Sequence, residues 1–579
     1  MKRVSVALCL AFCCAAALAQ AAPRSTIRVG LWTLWRDREA TITPVSSASV
    51  RLCETCAASP LAAIAVRAED AHLHWTEQNG RAHSSAVMLL AGAYRIAAHG
   101  ESLTISYPLR ITAHAGALVL VATLPVERYV ELVVAAESGS ADSPESRKAL
   151  AIVARSFALV PTHGHTAFDV CDSTHCQWVH WRSTPQAHAA TLATAGESLW
   201  YHGSRAEAYF HQNCGGRTAA ASEVWPGSSA SAHAARGPLV SRPDPYCLRA
   251  GSSQWSATLS RAELTQALAA AGLAAPGWKS LTVAERGESG RATWLLAGST
   301  RIPAEDFRLA VGRALGWNRI RSNWFEVAAE GGSFLFHGRG SGHGVGLCQA
   351  GAAEMAREGH SYREILAQYF PGATLAEQTT GAAWQSLNGP GFILESSEAA
   401  DAAWLPVLAR ALAEAKSRSG LTPRAPVTVR VYRSTPAFRD AALVPGWVAG
   451  FTEGGQIALQ PLRILSARKL LQATLLHEFL HALVEEQAAA QTPLWLREGL
   501  VETWSLPVRS GDARRGPEPK LTLESINQKL AHATSEAESE AAHRTAGWFA
   551  QQLLDRFGRA HVLEWLSSDV PQSALAALR

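Results

Sequence analysis

Between residues 26 and about 123 the chain alternates apolar and polar positions in short bursts, among them Thr26–Leu31, Ala86–Leu90 and Leu118–Thr123, separated by Gly, Ser and Asn. A period of two puts every second side chain on one face, so this stretch reads as the strands of a β-rich lead-in. The period then changes. Val126, Tyr129, Val130, Val133 and Val134 recur at the spacing of a helix that starts beside Pro125 and stops where Ser138-Gly139-Ser140 breaks the pattern. Ser143 before Pro144 and Glu145 announces a second helix, with Leu150, Val153, Ala154 and Phe157 on its apolar face. Strand patterns return near Ser198–His211, Ser280–Glu285 and Arg291–Leu296, a helix is expected over Pro303–Leu315, and Tyr362–Tyr369 closes the module before Phe370-Pro371-Gly372.

Residues 373–390 lack periodicity and carry Gly, Thr and Asn, as a linker does. Beyond them come a strand (Phe392–Leu394), a long helix (Ala399–Arg418), two strands (Val427–Tyr432 and Ile457–Leu459) and a helix around Leu475–Leu483. The expected fold class is therefore α+β in two modules: an α+β unit with a β-rich lead-in, then a mainly helical unit with a small sheet. The length of 579 residues agrees, being too great for one ordinary core.

Composition narrows the setting. The net charge of +4 is small for this length and no basic run appears, so nucleic acid is not an expected partner. Met-Lys-Arg, an apolar stretch from Val4 to Leu18 and the small-residue pattern Ala17-Leu18-Ala19-Gln20-Ala21 read as a signal peptide over residues 1–22. The mature protein is then exported, to the periplasm or cell envelope, and no later stretch reads as a stable membrane span. Cleavage removes Cys9, Cys13 and Cys14 of ten cysteines and leaves seven, an odd number. Cys53 and Cys56 could close a small loop and Cys214 could pair with Cys247, while Cys348 reads as a buried thiol.

Three groups carry candidate chemistry. Glu137 ends the first helix, where a glutamate taken alone reads as a solvated or capping residue. His165, Cys171, His175 and Cys176 offer two imidazoles and two thiols, the ligand types of tetrahedral zinc, with a Cys171–Cys176 disulfide as the competing reading. Leu475–Leu483 reads LLHEFLHAL and places His477 and His481 four apart on one helix face as two zinc ligands, with Glu478 between them as general base. The following PLWLREGLVE supplies Glu498 as third ligand and Glu502, one turn on, as a carboxylate to orient a ligand histidine.

The stretch Leu124–Trp181, with ALAIVARSFAL in its second helix, resembles the core of the SpoIID/LytB family of sporulation and cell-wall proteins. DSTHCQ, AYFHQNCGGRT, DPYC and GRGSGHGVGLCQAGA follow in the family's order, so that residues 24–372 form the resembling module. The chain departs from the family pattern at Ser138-Gly139, Leu150, Ser341, Cys348 and Ala350.

The resemblance implies that Glu137 is the catalytic acid of a lytic transglycosylase acting on peptidoglycan glycan strands, and that the His165 set is a zinc site. Asp172, Thr174 and Gln177 are then expected to bind glycan hydroxyls, with Arg339, His343 and Gln349 of the glycine-rich run beside the cleft. Trp178 and Trp181 could stack on sugars or pack in the core. Some relatives are enhancers of a wall amidase, which leaves a second reading: a glycan-binding module, with a wall amidase as partner and the zinc domain as the only enzyme. Residues 391–579 resemble the gluzincin peptidase MA-like domains, which implies a Zn2+ cofactor and a zincin-like fold. His543 lies where a helix of these domains faces the site, although a surface histidine is the preferred reading.

Overall fold

A computed structural model describes residues 25–579 except 77–79, 140–141, 161–163, 227–236, 252, 507–521, 534, 577 and 579. The expected signal peptide lies outside the described residues. Among those described, no helix is long and apolar enough to cross a membrane.

The lead-in forms an eleven-stranded sheet. Thr26–Leu31 pairs antiparallel with Ala117–Pro125 and parallel with the short strand Val170–Cys171, where Gly30 sits opposite Cys171. Glycine at position 30 lets the Phe168 ring lie against the strand, since a Cβ there would meet the ring at 2.7 Å and push it away. One buried face of the sheet, including Ile27, Val29 and Leu124, shares a core with helix α1 (Val126–Glu137) and helix α2 (Pro144–Ala158). The valines and Tyr129 of α1 are buried as their spacing predicts. Ser143 caps α2 by accepting from the Ser146 N–H, and the buried Arg155 of α2 grips Glu127 of α1 through two nitrogens. The 13-residue strand Glu39–Arg51 escapes the alternation pattern because its Ser-rich second half is exposed or only partly buried on both faces.

Within the region that reads as one module, residues from Gln254 to Arg339 build a core of their own, with Trp255, Leu259, Phe307, Phe325 and Phe336 at its centre. Its strands Gln254–Ser260 and Phe325–Glu330 flank Ser333–Arg339, and helices Arg261–Ala270 and Ala304–Leu315 cover them.

The carboxy-terminal module is a five-stranded sheet with helices. Phe392–Ser396, Val427–Val431 and Gln456–Leu459 run parallel, and Gln385–Gly389 and Gly450–Glu453 add antiparallel edges. The expected linker is thereby corrected. Thr374–Glu377 pairs antiparallel with Glu197–Trp200 of the first module, while Gln385–Gly389 belongs to the second sheet. Strands of four or five residues are too short to show a period, and backbone pairing with neighbours decides their state. The modules are welded beside this crossing. Arg430, 2 % exposed, donates to Glu197 of the first module at 2.7 Å and to Glu395 at 2.5 Å, and the Tyr432 hydroxyl donates to Ala195 O.

Candidate functional site

Glu137 is the last residue of α1, and its position follows from the helix. The apolar face turns into the core and the chain then breaks at Ser138, leaving the side chain at the rim. Its Oε1 accepts from the Trp178 backbone N–H at 3.1 Å, and its backbone carbonyl accepts from Gln349 Nε2 at 2.8 Å. Burial raises its pKa to about 7, opposed by that one backbone hydrogen bond. A carboxyl group so placed is half protonated near neutrality, as a general acid requires. Trp178 stands beside it with half its surface exposed.

The segment that delivers Trp178 also carries the His/Cys set. His165 Nε2 lies 3.3 Å from Cys176 Sγ, and His175 Nδ1 lies 3.7 Å from Cys171 Sγ and 3.6 Å from Cys176 Sγ. The two cysteines are free thiols, and all four ligand atoms fall within 4.8 Å of one another. Bond lengths of 2.0–2.3 Å around a tetrahedral zinc separate its ligand atoms by about 3.3–3.8 Å. The set fits such an ion.

Asp172 accepts from the Trp32 N–H at 3.1 Å, and burial lifts its pKa to about 6. Thr174 is exposed, as a hydroxyl-binding residue has to be. Gln177 is not placed to bind sugar. It is 2 % exposed, and its Oε1 accepts from the buried Tyr129 hydroxyl at 2.9 Å.

The glycine-rich run splits the residues expected beside the cleft. Gln349 reaches Glu137, but Arg339 lies flat on Trp324, 3.5 Å from the ring centroid, on the inserted unit. His343 packs against Trp225 and His211 while its Nδ1 accepts from the Val345 N–H, and burial pushes its pKa down to about 4. Among the described residues neither Arg339 nor His343 hydrogen-bonds to Glu137.

In the second module, helix Leu471–Gln487 holds His477 and His481, whose Nε2 atoms are 3.1 Å apart. Glu498, on helix Leu494–Ser505, has Oε2 3.5 Å from His481 Nε2. Two nitrogens on one tetrahedral zinc stand about 3.3 Å apart, so the two histidines are at ligand spacing. With Glu498 they are not, however, among the described groups whose ligand atoms all lie within 4.8 Å of one another. Glu478 is 5 % exposed and accepts from Thr452 Oγ1 at 2.6 Å, and Gly450 lets that edge strand approach it.

Two expectations are revised here. Among the described residues no hydrogen bond joins Glu502 to a ligand histidine, and it is Ser505 Oγ that lies 3.2 Å from His477 Nδ1. His543 is not a bystander on the surface: its Nε2 is 3.2 Å from Glu498 Oε2. The i, i+7 spacing of Glu498 and Ser505 was a signal for the former. His543 comes from a separate helix, and only the resemblance pointed to it.

Residues 114–201, which contain α1, α2, Glu137 and the His/Cys set, match the family model described as stage II sporulation protein, SpoIID. The chain carries a SpoIID domain in its N-terminal half. Residues 250–346, the inserted unit, match a separate domain of unknown function, DUF8618. The chain is 27% identical over 302 residues to stage II sporulation protein D of Bacillus subtilis, covering 48% of this chain and 83% of that one. It is 26% identical over 288 residues to the amidase enhancer of the same organism, covering 40% of this chain and 38% of that one. An uncharacterized protein of Brachyspira hyodysenteriae is 29% identical over 265 residues, covering 45% and 69%. Glu137 and the His/Cys set thus fall inside the SpoIID match, and Arg339 and His343 fall inside the DUF8618 match.

Proposed function

We propose that the protein is an exported peptidoglycan-processing enzyme whose SpoIID domain cuts glycan strands as a lytic transglycosylase, joined to a zinc peptidase of gluzincin type. The observation that carries the reading is Glu137: a rim carboxyl with its pKa raised to about 7, set beside a half-exposed tryptophan. Protonated Glu137 donates to the leaving glycosidic oxygen as the bond from C1 breaks. The resulting carboxylate accepts the proton of the muramic 6-hydroxyl as that oxygen bonds to C1. One proton enters and one leaves, no water is consumed, and the product is a 1,6-anhydro sugar. A single carboxyl group suffices for this cycle, unlike hydrolysis with its paired carboxylates. His165, Cys171, His175 and Cys176 would hold a structural zinc with no open position.

In the second module His477, His481 and Glu498 would hold zinc, which supplies Lewis acidity toward a scissile carbonyl. Glu478, fixed by Thr452, takes a proton from the attacking water and passes it to the leaving amine. His543, half-buried beside Glu498, faces the same centre.

The relative named amidase enhancer favours a second reading, in which the SpoIID domain grips glycan for a wall amidase and cuts nothing. Mass spectrometry of peptidoglycan after incubation with the protein separates them. Anhydro-muramyl ends that vanish with Glu137→Gln but persist with Glu478→Gln are expected. Their absence with every form overturns the transglycosylase.

A further inference from the structure

A second thiol-rich cluster lies outside everything used so far. Cys214 follows the short strand Phe210–His211, Asp244 caps the turn of helix that carries Cys247, and Cys348 ends the strand Leu347–Cys348. These three segments are joined by parallel pairing of His211 with Cys348 and by a bridge between Arg217 and Pro243. All four side chains are at most 1 % exposed, and their ligand atoms lie within 4.8 Å of one another. We propose that Cys214, Asp244, Cys247 and Cys348 hold a structural zinc ion, separate from both sites described above.

The donor chemistry selects the ion. Three sulfurs and one carboxylate oxygen make a closed tetrahedral set, and the hard oxygen disfavours Cu(I), the other common guest of buried thiolates. Cys214 Sγ is 3.1 Å from Asp244 Oδ2, close to the ligand spacing around zinc. The carboxylate is held from outside. Asp244 Oδ2 accepts from the Tyr369 hydroxyl at 2.9 Å, and Oδ1 accepts from the Cys247 N–H at 2.9 Å, the outer-shell support that ligand carboxylates carry. A Cβ on Gly351 would come within 2.6 Å of that carboxylate.

A Cys214–Cys247 disulfide is the obvious competitor. It would leave a third thiol and a carboxylate buried side by side, with neutral hydrogen-bond donors around the carboxylate and no cation to balance its charge. The cysteines here are free thiols, whereas Cys53 and Cys56 are joined in a disulfide. Charge supplies an independent argument. Arg291, 1 % exposed, donates to the carbonyl of Cys214 at 2.6 Å and to that of Arg217 at 2.8 Å, yet forms no ion pair among the described residues. A buried guanidinium needs a counter-charge nearby. Three thiolates and a carboxylate around a dication leave two negative charges next to it.

The test uses the full mature chain, purified from an oxidising compartment without reductant. Elemental analysis of Cys247→Ser is expected to find one zinc per chain fewer than wild type, whereas Cys176→Ser and His481→Ala keep that ion. Peptide mapping of the wild type, denatured with chelator and no reductant, is expected to find Cys214, Cys247 and Cys348 all alkylated. A peptide joining any two of them, or an unchanged zinc content in Cys247→Ser, overturns the proposal. Should Cys247→Ser fail to fold, cobalt(II) loading of the Cys171→Ser/Cys176→Ser protein decides the matter. The only thiols left there are those of the cluster, so a thiolate-to-cobalt charge-transfer band is expected and its absence refutes the site.

Discussion

At the scale of single residues, Glu137 sets a pH dependence whose sign is fixed by its raised pKa. Burial favours the protonated form, so activity carried by that proton falls as pH rises through about 7. The same group bears on stability. Its folded pKa lies above the ordinary carboxylate value, so its contribution is fully present below about pH 4 and is lost as pH rises through about 7. Glu137→Gln is expected to raise the melting temperature at pH 8 and leave it nearly unchanged at pH 4. The gain has a ceiling of about 3 kcal/mol, reduced by the group's partial exposure. Thermal unfolding at the two pH values checks this, and a lower melting temperature at pH 8 would refute it. Trp178 makes a separate prediction. Trp178→Ala is expected to weaken glycan binding about tenfold, the scale of one aromatic contact, with folding intact because the ring is half exposed. Sedimentation with insoluble peptidoglycan measures it.

Among the elements, helices α1 and α2 were legible because their chemistry is local: a cap, a proline and a period of three to four. The partners of Glu137 were not legible from local pattern, since Trp178 is 41 residues away and Gln349, placed near the cleft only by the resemblance, is 212 away. Burial also reversed one role, for the polarity of Gln177 suggested a sugar contact while the fold uses it to satisfy Tyr129. The helix Leu494–Ser505 shows the same division. Its Glu498 was readable from spacing, but the residue nearest the far nitrogen of His477 is Ser505 rather than Glu502. Outer partners of this kind are worth about 10–100-fold in metal affinity. Ser505→Ala is therefore expected to weaken zinc binding about tenfold in competition with a chromophoric chelator, and Glu502→Gln to change it little. Equal losses in the two variants would restore Glu502 to the role expected of it.

For the whole molecule, the seam between the modules decides behaviour that neither module has alone. Arg430 serves Glu197 on one side and Glu395 on the other, with almost no access to water. Removing one partner of a buried ion pair costs about 3–5 kcal/mol, because the remaining charges stay behind without compensation. Arg430→Ala is expected to split a shared calorimetric transition into two, since Glu197 of the first module and Glu395 of the second each lose their nearest cation and keep only Arg363, 3.5 and 3.6 Å away. A single transition at an unchanged temperature would show that the seam carries little energy. The crossing strand Thr374–Glu377 adds a geometric side to this, since its backbone is hydrogen-bonded into the first module after the point where that module's own pattern ends.

Excision is therefore a harder operation than the family boundaries suggest. A truncated form ending at residue 372 loses one of the two neighbours of strand Glu197–Tyr201 and the buried guanidinium of Arg430, leaving Glu197 with Arg363 alone. The two modules finish each other: without the second, an edge beside Glu197–Trp200 lies open and a buried carboxylate keeps only the half-exposed Arg363.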